Sequence, residues 1–276
     1  MLVLGACGGG QPDTTEPATL PASHHVHALR AADDGTLLLG LHGALWRSTD
    51  GGSTWRHAGL EGHDAMAIGI GPDADGPILI GGHGMLARAD DPTADFTPLS
   101  PPELGERDVH ALAQTPSQPT TAYAFEVTQG LFRTDDGGDS WQLVAPVGRD
   151  FGPGVAALAV HPTDTDTLVI GSGASGLLRS TDGGATFQPV IVVGTFAVAW
   201  FGDDADRLVA ATERGIETSD DAGQTWQVVT EHGTLPGQLA ALAADRQGDI
   251  WVVTEKPRTL QRSSDGGTTW EQIAGA

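Results

Sequence analysis

The sequence predicts an all-β chain closed into a six-bladed β-propeller of four-stranded antiparallel blades. Three observations carry that prediction. One octapeptide recurs six times, its copies stand about 43 residues apart, and each interval holds the same order of apolar runs and turns. A repeat of that length, built from short strands without sustained helical periodicity, is the signature of propeller blades.

The octapeptide reads STDGGSTW at Ser48–Trp55, TDDGGDSW at Thr134–Trp141, STDGGATF at Ser180–Phe187, SDDAGQTW at Ser219–Trp226 and SSDGGTTW at Ser263–Trp270. A degraded copy, ADDPTADF, fills Ala89–Phe96. The closing aromatics are Trp55, Phe96, Trp141, Phe187, Trp226 and Trp270, spaced 41, 45, 46, 39 and 44 residues apart. The first unit shows the internal order. HVHALRAA (25–32) reads as an inner strand, Asp33-Asp34-Gly35 as a turn, TLLLGLHG (36–43) as a second strand and ALWRS (44–48) as a third. The octapeptide then makes a tight turn into the fourth strand, TWRHA (54–58). Apolar runs bounded by Gly, Asp and Pro are the mark of strands and turns. Six such units place the blades at approximately 24–60, 61–103, 104–150, 151–193, 194–235 and 236–276. The first unit opens on its inner strand and the last ends on its outer one. Ring closure therefore rests on blade-to-blade packing unless part of 14–23 adds a strand.

Ahead of the repeats, Leu4-Gly5-Ala6-Cys7 resembles a bacterial lipobox, with Cys7 the lipidated residue. Residues 1–7 then read as a truncated signal peptide, because only six residues, none basic, precede Cys7. Residues 8–23 are largely Gly, Pro, Thr and acidic residues with almost no large apolar side chain, and read as a flexible tether. The expectation is an extracytoplasmic, lipid-anchored monomer, consistent with a single cysteine that has no disulfide partner.

Composition excludes several functions. The net charge is -22, from 14 basic and 36 acidic residues, which argues against nucleic acid as a partner and against electrostatic docking on anionic lipid. No run of about 18 apolar residues marks a spanning helix, and no CxxC pair marks a zinc or iron–sulfur site.

The octapeptide resembles the Asp-box of the BNR-repeat family. That resemblance implies a structural hairpin in which Asp50, Asp91, Asp136, Asp182, Asp221 and Asp265 accept turn amides. Each copy offers too few oxygens for calcium. The family is best known for sialidases, whose resemblance implies an Arg triad and a Tyr nucleophile with a Glu partner, outside the paired-carboxylate scheme. Here the single Tyr123 lies in an apolar strand of blade three, and only Arg107, Arg214 and Arg258 are placed to reach the channel mouth. Another glycosidase mechanism would draw on Glu126, Glu213 or Glu255. A further Asp-box group assists photosystem II assembly through a basic patch, and this chain is expected to lack such a patch, which weakens that reading. The H-x-H-[AG]-L opening, the G-x-H-G loop and the lipobox are similar to small bacterial secreted BNR proteins, often filed as glycosyl hydrolases.

Histidine marks the mouth. His24, His25, His27, His63 and His110 fall at the starts of the first three inner strands. His42 and His83 occupy matching loops between the second and third strands of blades one and two. His27, Asp64 and His110 share one repeat position, whereas blades four to six place no histidine at either position. His25, His27, His42, His63, Asp64, His83 and His110 are thus the candidate ligands. Convergent neutral imidazoles favour Zn, Cu or Ni. The expected function is a binding module whose mouth takes a metal or a metal-bound small ligand. A glycan-cleaving enzyme and a scaffold for an envelope or photosystem-type protein partner are the alternatives.

Overall fold

The computed structural model describes residues 18–22, 25–32, 34–70, 77–91, 95–148, 151 and 153–275. The lipobox, Cys7, Asp33 and His24 lie outside those residues. The described chain forms six sheets, one per repeat, each built on four consecutive antiparallel strands, with one short 3-10 turn at Pro102–Leu104. This is the expected six-bladed propeller. Blade one comprises Val26–Ala31, Leu37–Leu41, Ala44–Ser48 and Arg56–Gly59. Blade two comprises Ala67–Ile70, Ile78–Gly82, Met85–Ala89 and Thr97–Leu99. The inner strand of blade three is Val109–Thr115.

The second strand of a blade has a neighbouring blade on each of its faces, so it reads as a continuous apolar run rather than alternating. Leu37–Leu41, Ile78–Gly82, Leu168–Ser172 and Leu208–Thr212 are buried at every position. Burial on both faces removes the period of two. The core is accordingly six clusters, one at each junction between blades. At the axis the inner strands carry small side chains, among them Ala28, Ala67, Ala111, Ala157 and Ala241, because six strands converge there. The space left amounts to about 20 Å³ near the mouth and about 100 Å³ beyond it. Between them stands Arg30, whose guanidinium donates to the carbonyls of Leu29 (2.9 Å) and Leu112 (3.3 Å). Burial lowers its pKa to about 10, which leaves it charged at neutral pH. A ligand therefore meets the mouth and not a through-channel.

The octapeptide turns are hydrogen-bonded from within. In blade one, Asp50 Oδ1 accepts the Ser48 hydroxyl and the Thr54 amide, each at 2.8 Å, and Oδ2 accepts the Thr54 hydroxyl at 2.6 Å. The Gly52 amide donates to Ser48 Oγ at 2.8 Å, and the Trp55 indole donates to the Gly52 carbonyl at 3.0 Å. Asp136, Asp182, Asp221 and Asp265 repeat the pattern. Their oxygens are committed to the turn.

Ring closure uses a strand from within residues 14–23. Ala18–Thr19 pairs in parallel with the outer strand of blade six, Glu271–Gly275, in the register Ala18 to Ala274 and Thr19 to Gly275. Leu20, 3% exposed, then packs with Trp251 and Val253 of blade six and Leu29 of blade one. The tether assigned to 8–23 is corrected here, since residues 18–20 belong to the folded ring. A buried leucine and a paired strand supply the apolar and hydrogen-bonding anchors that composition alone concealed.

Candidate functional site at the channel mouth

The mouth is assembled by close approach of each hairpin to the inner strand of the next blade. In blade two the sequence GGHG makes that approach possible. A Cβ on Gly81 would lie 2.5 Å from the Val109 side chain of blade three, and one on Gly82 would lie 2.0 Å from the Asp64 carbonyl oxygen of its own blade, so only glycine fits at the steps before His83.

Asp64 stands at the centre. His42 Nδ1, from the blade-one hairpin, lies 2.9 Å from Asp64 Oδ1. The Gly43 amide donates to the same oxygen at 3.0 Å. On the other side, His83 Nε2 lies 3.9 Å from Asp64 Oδ2. His83 Nδ1 is 2.8 Å from Asp108 Oδ1, which also meets His110 Nε2 at 3.0 Å. The rings of His83 and His110 pack edge to face at 5.1 Å.

His27 completes the first half of the site. Its Nε2 is buried and has no hydrogen-bond partner among the described residues. Its ring lies 6.4 Å from those of His25 and His42. Burial lowers the His27 pKa, Asp64 opposes that shift, and His25, His42 and His83 add to it. The imidazole is thereby held neutral, with a lone pair available for coordination.

The expected ligands fall into two groups rather than one. His27, His42 and Asp64 each offer an atom within 4.8 Å of the others, and so do His83, Asp108 and His110. His25 flanks the first group through its ring contact with His27. His63 departs from the expected set. Its amide closes a turn on the Leu60 carbonyl (3.0 Å), and its side chain lines a groove between blades one and two instead of the mouth.

Asp108 was missed, although the sequence carries its signal. It stands two residues before His110, as His25 stands two before His27, so D-x-H in blade three repeats H-x-H in blade one.

The acidic residues expected to ring the mouth are mostly engaged. Glu126 is fully buried and caps its own loop, with Oε2 accepting the Thr128 and Gln129 amides at 3.0 and 2.8 Å. Glu255 accepts the Val26 amide (3.0 Å) and pairs with Arg258 (3.1 Å). Glu213 is exposed. Of the mouth arginines, Arg214 pairs with Glu217 at 2.6 Å, and Arg107 lines the same groove as His63. Tyr123 is 0% exposed, donates to the Thr165 carbonyl (2.9 Å) and accepts from Arg133 (3.1 Å). A phenol packed in this way has no path to a substrate.

Solved propellers share this fold. The protein is similar to the GH74 enzyme of Niastella koreensis, at 20% identity and a TM-score of 0.68 over 93% of this chain and 46% of that one. It therefore spans about half the length of that enzyme. It is also similar to YCF48 bound to D1 peptide, at 19% identity and a TM-score of 0.59, over 93% of this chain and 84% of that one. YCF48 from Cyanidioschyzon merolae matches at 13% identity and a TM-score of 0.59, over 94% of this chain and 89% of that one. At these identities the likeness is one of fold. The sequence matches no family profile, and no curated protein is similar to it.

Proposed function

We propose that the protein is a metal-binding propeller, tethered outside the cytoplasm through Cys7, whose octapeptides are Asp-boxes. His27, His42 and Asp64 would hold a divalent ion of the Zn, Cu or Ni class, and His83, Asp108 and His110 a neighbouring one. The observation that carries the reading is His27, whose Nε2 is buried without a partner among the described residues and whose ring offers a nitrogen within 4.8 Å of a second imidazole and a carboxylate. An unsatisfied buried polar atom costs about 1–3 kcal/mol, and coordination would remove that cost. Two imidazoles and one carboxylate suit zinc, copper or nickel better than calcium or magnesium. The Gly43 amide, donating to Asp64 Oδ1, would orient the carboxylate. Metal content of the full chain after exposure to zinc and dialysis tests the reading. Retention that disappears in the His27→Ala/His42→Ala variant supports it, and equal content in both proteins overturns it.

Glycoside hydrolysis stays as an alternative, with the exposed Glu213 its most accessible carboxylate, since Glu126 and Glu255 each hold fold contacts through one oxygen. A protein partner remains the favoured second reading, for the reason that follows.

A further inference from the structure

Five of the six blade junctions are closed in the same way. The second glycine of each intact octapeptide packs onto the preceding blade. A Cβ on Gly52 would lie 2.2 Å from Leu260, on Gly138 3.1 Å from Leu99, on Gly184 3.0 Å from Leu131, on Gly223 3.5 Å from Val169 and on Gly267 2.8 Å from Val229. The blade-two copy has Pro92 and Thr93 where the others carry their glycine pair or its Ala-Gly equivalent. At that junction, between blades one and two, a groove of about 980 Å³ opens on the periphery.

The groove gathers unpaired positive charge. Seven described arginines, Arg88, Arg133, Arg207, Arg214, Arg246, Arg258 and Arg262, pair with carboxylates. Of the other five, Arg30 and Arg179 donate to backbone carbonyls, and Arg47, Arg56 and Arg107, which all line the groove, have no carboxylate partner among the described residues. Arg47 reaches only the Thr36 hydroxyl, at 3.5 Å, and its buried Nε has no partner. In a chain of 36 acidic and 14 basic residues, three unpaired guanidiniums on one groove need a physical account. Asp95 is the one carboxylate among the described lining residues.

The backbone at the groove is also strained. Leu60 (φ 61°) and Arg107 (φ 55°) line it, and they are two of the four described non-glycine residues in the left-handed region. Arg107 is held there by its amide on the Leu104 carbonyl (2.8 Å) and by its own carbonyl accepting the Met85 amide (3.1 Å). Such strain persists where surrounding contacts over-determine it, and it concentrates at binding sites.

We infer that this groove docks an extended acidic segment of a partner protein, with apolar residues between its carboxylates. Arg47 and Arg56 stand paired on the third and outer strands of blade one at their octapeptide end, and Arg107 stands on the connection at the mouth end. Ala58, Phe96, Pro98 and Leu86 line the stretch between them. The four-residue outer strand Arg56–Gly59 is about 13 Å long at roughly 3.3 Å per residue, so the cationic ends suit a short peptide and exceed the reach of a single small anion. Guanidiniums recognise carboxylates through paired N–H donors.

Fluorescence anisotropy with the full chain tests this. The probe is a dye-labelled heptapeptide with two glutamates at each end and three leucines between them. We expect saturable binding that weakens at least tenfold in the Arg56→Gln/Arg107→Gln variant and as salt rises. Neither side chain makes a hydrogen bond among the described residues, and circular dichroism of the variant checks that it is intact. Binding is expected to survive in the His27→Ala/His42→Ala variant, because the groove does not depend on the metal reading. Equal binding by the Gln variant, or equal binding of a peptide with lysines in place of glutamates, overturns the proposal. Displacement by citrate at peptide-like concentrations overturns it in favour of a small-anion site.

Discussion

His42 Nδ1 of blade one and Asp64 Oδ1 of blade two lie 2.9 Å apart, joining residues that belong to different sheets. The same carboxylate turns its second oxygen toward His83. Asp64 therefore links the two ligand groups. Asp64→Asn is expected to weaken zinc binding about 10- to 100-fold at both groups, read by competition with a chromophoric chelator. His110→Ala should remove one ion and leave the other. A single ion lost equally in every variant would contradict the division into two groups.

Metal binding should weaken on acidification. Imidazoles must be neutral to coordinate, so affinity should fall as pH drops through the histidine range near about 6.5. The ion-free protein should respond in the same direction. His27 has a lowered pKa in the folded state, so the unfolded chain takes up its proton first. Stability contributed by neutral His27 is present above about pH 6.5 and declines as pH falls below it. Urea midpoints at pH 7.5 and pH 5.5, compared between the native chain and His27→Gln, check the sign.

A second acid transition belongs to the octapeptides. Hydrogen bonds from the Ser140 hydroxyl and amide hold Asp136 down at about pKa 2, and Thr225 and Thr269 do the same for Asp221 and Asp265. Depressed carboxylates stabilise the fold above their unfolded pKa of about 3.9, and that contribution fades as pH falls toward about 2. Circular dichroism across that window should show cooperative loss of the sheet. Asp136→Ala should cost about 1 kcal/mol at neutral pH, the scale of a net turn hydrogen bond.

Closure of the ring should be sensitive to one side chain. Leu20 is buried between blades six and one, and Leu20→Ala is expected to cost about 2–5 kcal/mol, read as a lowered urea midpoint. The same truncation at Val192, which is 82% exposed, should be close to neutral.

The fold was legible because one turn is written six times and each copy announces the strands beside it. The site was legible only in part. Repeat register placed His27, Asp64 and His110 at equivalent points, and His42 and His83 in equivalent loops, but register says nothing about which loop meets which strand. That pairing runs from one blade to the next, so Asp108 entered the site and His63 left it. The arginine groove was invisible along the sequence, since Arg47, Arg56 and Arg107 form no run. Only the degraded ADDPTADF marked the junction that would differ. The docking of Ala18–Thr19 was hidden by a composition that resembles a linker.

That two-residue parallel pairing leaves the molecule as a circle with one buckle. The other five junctions are covalently continuous from blade to blade, so chain ends meet only where blade six faces blade one. Thermal opening should start at this seam, with the amides of Leu20 and Gly275 exchanging before those of the inner strands. Any tension on the amino end would load the buckle itself, which makes that tension and the integrity of the circle a single mechanical matter.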